Sequence, residues 1–250
     1  MKCAREMKKT VCKFFLESKR KFIVFFKNSF TNNYLKKDTF KSMESPKLQD
    51  RLFIESTGLN YDYASINRRK GTRNELALFY LIEGYREASF VLIEELLNNH
   101  NQDWLKIDSF IYPVIFNFRH YLEIIIKDTL RYYRLINNEV LNDQIGFKNT
   151  HSLKTLWSEL KPYLEQTYSA EVNLKDDLLA VEQLIDEIEE KDKGSFSFRY
   201  PYEGSKKIET PVQFTLPSMT IEIENLKLVM KKLSNFFEGI NHHAAVILDQ

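Results

Sequence analysis

Apolar positions recur at three-to-four spacing through most of the chain, which is the period of helices packed on one side. Residues 74–98 set Leu78, Leu81, Ile82, Tyr85, Ala88, Val91, Leu92 and Leu96 on one stripe, with Gly84 inside it as the expected point of a close helix crossing. A second helix is predicted over about 110–135, capped by Asp108-Ser109, with Pro113 tolerated in its first turn. It is apolar almost all round (Val114, Ile115, Phe118, Leu122, Ile124, Ile125, Ile126, Leu130), so it belongs at the centre of a bundle. Asn149-Thr150 is expected to cap a third helix over 151–166, and a fourth follows at about 171–191. A last helix over 218–240 carries Leu226, Val229, Leu233, Phe236, Phe237 and Ile240 on one face.

Breakers are scarce. Seven glycines and six prolines in 250 residues fall well below the usual share of about 12%. Sandwiches, barrels and doubly wound sheets need more turns than that allows. The expected class is mostly α: an up-and-down helical bundle over 75–240, with 241–250 as a tail. Five of the thirteen breakers fall within 192–217: Gly194, Pro201, Gly204, Pro211 and Pro217. This irregular loop, which also contains a candidate short strand, is therefore a candidate for function.

Charge divides the chain where its total does not. The net charge is +1, but residues 1–41 hold 12 Lys/Arg against three acids, and the remainder holds 24 against 32. The segment 1–41 reads as a basic amphipathic helical arm with Phe14, Phe15, Phe22, Phe25 and Phe26 at near-helical spacing, joined by a linker over 42–74. Three destinations are open to the arm: docking on its own body or on a second subunit, nucleic acid, or a membrane surface. The uncharged run at 109–118 spans 10 residues, short of the ~20 that cross a bilayer, so no transmembrane segment is predicted. Charges from Lys13 onward interrupt any apolar leader, and Cys3 and Cys12 suit neither a zinc ribbon nor a disulfide framework. A reducing, cytoplasmic setting is the expectation.

Candidate chemistry concentrates on the second helix. Arg119, His120, Glu123 and Lys127 are offset by three, four and seven and share one side. They read either as a salt-bridge network that fixes packing or as an anion or nucleotide site. One His and one Glu at i, i+3 supply only two ligands, so no metal and no cofactor is expected. His151 lies at a helix start, and Arg199 in the loop carries a fork suited to phosphate or carboxylate. Fingerprints of the G-x-x-x-x-G-K, G-x-G-x-x-G and G-x-S-x-G kinds do not occur.

The pattern FNFRHYLEIIIK (Phe116–Lys127), then THSLKTLW (150–157), then FSFRYP (196–201) resembles the HEPN-like helical proteins of bacteria. The resemblance covers about residues 76–240. It implies a helical bundle that dimerises and folds its Arg-Tyr-Pro loop back on the second helix. It also implies a module that binds RNA, a nucleotide or a partner protein in a phage-defence or toxin–antitoxin system. Nuclease members carry Arg, four to six residues, then His. None of the five histidines here is preceded in that way. Active-site residues therefore do not carry over. Arg119, His120 and His151 are left as catalytic candidates for a metal-independent ribonuclease, and Arg119, His120, Glu123, Lys127, Arg199 and Tyr200 as the candidate ligand-binding set.

Overall fold

The computed structural model describes residues 51–53, 75–99, 104–139, 149–202 and 214–249. The chain divides into Met1–Ser65 and Ile66–Gln250. The basic arm over 1–41 and most of the linker lie outside the described residues. Within the second unit five helices follow one another: α1 (Glu75–Asn99), α2 (Trp104–Ile136), α3 (Leu153–Thr167), α4 (Leu174–Lys191) and α5 (Ile223–Leu248). Helix accounts for 75% of the described residues, and these contain one isolated antiparallel bridge, Tyr202 to Phe214. The fold is an all-α bundle.

The all-round apolar helix is central, as its composition predicts. Val114, Phe118, Tyr121, Leu122, Ile125, Ile126 and Leu130 of α2 are buried, and α2 packs on α1, α3 and α5. Fully burying one such side chain stabilises a fold by roughly 1.5–3 kcal/mol, so this helix carries much of the hydrophobic drive. Helix α4 packs chiefly on α3, through Leu178, Val181 and Ile185. Trp157 of α3 meets Phe237 of α5 edge-on at 6.1 Å within the core.

Several boundaries differ from the expectation. Helix α2 begins at Trp104, so Asp108-Ser109 is not its cap and Pro113 lies well inside it. Ser109 turns its hydroxyl back to the Leu105 carbonyl, and Lys106 pairs with Glu95 of α1. Contacts with α1 thus extend the helix through a sequence that reads as a start. Gly84 is exposed, and a Cβ there would meet nothing within 4 Å, so no close crossing occurs. The buried face of α1 runs through Leu78, Ile82, Ser89, Ile93 and Leu96, while Leu81 and Val91 face out. Ser89 hides this face from a purely hydrophobic count because its hydroxyl is satisfied by the Arg86 carbonyl. Ser152 rather than Asn149-Thr150 caps α3, accepting from the Thr155 N–H at 3.2 Å. The last helix continues to Leu248 through the segment read as a tail, because Ile240 and Ala244 still face the core.

Candidate functional site at the Arg119 pole

Arg119 is fully buried. Its position on α2, four residues before Glu123, directs it to where α2, the start of α3 and the end of α4 converge. Its Nε donates to the Asp192 carbonyl at 3.2 Å and lies 3.3 Å from the Asp192 carboxylate. One terminal nitrogen donates to Glu123 at 3.3 Å, and the other donates to the His151 carbonyl at 2.6 Å and lies 3.7 Å from Glu189. Glu189 also accepts the Leu153 N–H at 3.0 Å, which satisfies one free donor at the start of α3. One side chain thus ties together three segments that are distant in sequence.

Glu123 is the second hub. Its Oε1 accepts from Lys127 Nζ at 2.9 Å and lies 2.9 Å from His151 Nδ1. Burial works to raise its pKa, but the hydrogen bonds and charges of Lys127 and His151 outweigh it and hold the carboxyl below its ordinary value. The His151 side chain itself is 65% exposed. It sits just before the helix start rather than in the first turn, with one ring nitrogen held by Glu123 and the rest of the ring open to solvent.

His120 sits differently. Its ring meets Tyr85 edge-on at 4.4 Å and stacks parallel to Phe116 at 6.1 Å. Burial lowers its pKa; Glu123 opposes that, and the positive charges of Arg119 and Lys127 reinforce it. Its neutral form is therefore favoured at neutral pH, which is the form that accepts a proton.

The loop after α4 returns to this helix. Gly194 and Ser195 both adopt positive φ, 72° and 62°, a left-handed pair that only the glycine takes without cost. Asp192 fixes the turn, its carboxylate accepting from the Ser197 N–H at 2.6 Å and its carbonyl from Ser195 N–H at 3.2 Å. Arg199 donates from Nε to the Ser195 carbonyl at 2.7 Å. Its guanidinium lies 5.6 Å from the Phe116 ring and 5.6 Å from the Tyr200 ring. The stack runs His120, Phe116, Arg199, Tyr200.

The residues singled out in the sequence fall into two groups. Arg119 and Glu123 are buried and engaged with one another, so they position the neighbouring segments. His151, Arg199 and Tyr200 are exposed, while His120 and Lys127 are partly so. Sequence reasoning missed Asp192 and Glu189, because pairing across 73 positions leaves no local spacing to read. Among the described residues no group of three His, Cys, Asp or Glu could hold a metal ion. No helix there is long and apolar enough to cross a membrane. A cavity of about 500 Å³ opens between α2, α4 and the start of α5, lined mainly by apolar residues such as Ile115, Leu184, Ile188 and Leu226, with Arg119 in its wall. His120, His151 and Lys127 do not line it.

Fold and site together define an all-α bundle with an internal Arg–carboxylate node and, beside it, exposed rings with Arg199 among them. No family model, curated protein or solved structure matches the chain.

Proposed function

We propose that the chain is a HEPN-like module that binds RNA or a nucleotide at the pole formed by His120, Lys127, His151, Arg199 and Tyr200, and acts as a regulatory component of a phage-defence or toxin–antitoxin system. The carrying observation is the Arg119 node. It spends a buried guanidinium on holding the start of α3 and the end of α4 against α2, and so keeps His151 and the Arg199 loop in fixed register. A buried ion network contributes little net stability. Its return here is geometric order at a surface where Arg199 stands among exposed rings. The homodimer implied by the resemblance belongs to this reading; exposed apolar residues such as Val91 and Trp104 support it, and light scattering at micromolar concentration tests it.

Anisotropy of a fluorescently labelled 20-nucleotide RNA and equilibrium dialysis of radiolabelled nucleotides test the binding reading. Saturable binding that weakens with salt and falls on Arg199→Ala supports it, because each phosphate contact releases counterions. Absence of binding by RNA and nucleotides alike overturns it.

A second reading, a metal-independent ribonuclease, is favoured by one observation. His120 is held neutral, and His151 is oriented by a carboxylate, an arrangement suited to general acid–base work on a 2′-hydroxyl. Arg119 is committed to the interior, so Arg199 would have to steady the developing phosphorane charge. Cleavage of total RNA in the presence of a chelator, abolished by His151→Ala, selects this reading over simple binding.

A further inference from the structure

We infer that the rings of Phe196, Tyr200, Tyr202 and Phe214, in the described segments that follow α4 and precede α5, form a stacking platform for an unpaired oligonucleotide strand, an inference that rests on the nucleic-acid reading above and names the form of its ligand. All four rings are exposed. Phe196 is 40% exposed, Tyr200 and Tyr202 are each 51% exposed, and Phe214 is 70% exposed. They form two pairs, Phe196 with Tyr200 at 4.8 Å and Tyr202 with Phe214 at 5.2 Å.

The rings are mounted on an ordered frame. Phe198 between them is buried and packs on Tyr112 of α2. Thr215 joins the two segments, its hydroxyl donating to the Tyr200 carbonyl at 2.7 Å and its N–H to the Pro201 carbonyl at 3.1 Å. Rings whose own segments, 196–202 and 214–215, are anchored by these contacts lose less conformational entropy when a ligand arrives.

Charge selects the ligand. Arg199 stands between the Phe116 and Tyr200 rings, and its guanidinium meets no carboxylate among the described residues. A purely apolar protein segment laid over these rings would cover that cation uncompensated, which is costly. A nucleotide strand offers both components at once: a π face for each ring and a phosphate for the cation. A duplex keeps its base faces stacked on one another and has none to offer.

The test is anisotropy with a labelled 12-nucleotide RNA, the DNA strand of the same sequence, and the RNA duplex. The proteins are the full chain and its Tyr200→Ala, Phe214→Ala, Tyr200→Trp and Arg199→Ala variants, with circular dichroism confirming that each is folded. Stacking predicts that single strands bind at least ten-fold more tightly than duplex. Each ring-to-alanine change should weaken single-strand binding by roughly five-fold or more, Tyr200→Trp should retain it, and the salt slope of the ring variants should be unchanged. Arg199→Ala should weaken binding and lower the slope by about one. Ring variants that bind like the unaltered chain, while Arg199→Ala still weakens binding, overturn the platform and leave the nucleic-acid reading standing. Equal affinity for duplex and single strand also overturns it. Binding to none of the three, with nucleotides likewise unbound, overturns both. Ring variants that leave nucleic-acid binding intact but change the oligomeric state assign the loop to a protein interface instead.

Discussion

Arg119 shows how much one residue can order without adding much net stability. Its removal leaves the buried Asp192 carboxylate without its cation and leaves buried Glu123 with Lys127 alone as its full positive charge. Breaking a buried pair by removing one partner costs about 3–5 kcal/mol, so Arg119→Ala should lower the unfolding free energy in urea by that amount, whereas truncating exposed Arg199, which loses one hydrogen bond to the Ser195 carbonyl, should cost about 1 kcal/mol. His120 gives a pH signature. Its pKa is lowered in the folded chain by burial, so the folded state resists its protonation. The stability it supports is complete above the ordinary histidine value of about 6.5 and declines as pH falls through and below it. Denaturation at pH 7 and pH 5 should show this loss, and His120→Phe, which keeps a ring between Tyr85 and Phe116, should reduce it. The loss attached to Glu123, whose pKa is also lowered, falls at more acid pH. An equal pH 7-to-5 difference in the variant would assign the loss to other groups.

At the scale of the element, the sequence told most where periodicity is strong. The all-round apolar run of α2 announces a central helix, and the structure puts it there. The start of α2 was illegible for a physical reason: Asp108, Ser109 and Pro113 have the chemistry of a helix start, but the turn before them packs on α1, with Lys106 paired to Glu95, and Ser109 bonds back within the helix. The Arg119–Glu123–Lys127 group was legible because its members are one helical turn apart. The half of the node supplied by Asp192 and Glu189 was not, since tertiary pairing writes no period into the chain. Gly84 was misread in the other direction, as a packing device. It lies mid-helix in open space, where glycine's extra unfolded freedom is a pure cost. Gly84→Ala should therefore raise stability by about 0.5–1 kcal/mol in chemical denaturation. A loss instead would reveal a contact at that face.

For the whole molecule, the packing hierarchy sets the order of opening. Helix α2 is braced by α1, α3 and α5, but α4 rests chiefly on α3 and is otherwise held through Asp192 and Glu189. Elements with few partners open locally before the fold does. Backbone amides of α4 should thus exchange with deuterium faster than those of α2 around Ile125. Arg119→Ala should accelerate α4 and the start of α3 more than α1. Uniform acceleration across all five helices would show that the node does not latch α4 selectively.

The node also constrains how this protein can change over generations. Replacing a complete buried ion network with apolar residues of similar volume is often neutral or stabilising, while losing one member strands the rest. Positions 119, 123 and 192 therefore sit on a ridge. A single step off it costs a large part of the 5–15 kcal/mol that holds a domain folded, but a joint step that lets Lys127 turn to solvent costs far less. Drift at these sites should be concerted: descendants of a common ancestor should keep Arg119, Glu123 and Asp192 together or have exchanged them together, and lineages carrying one without the others should be rare.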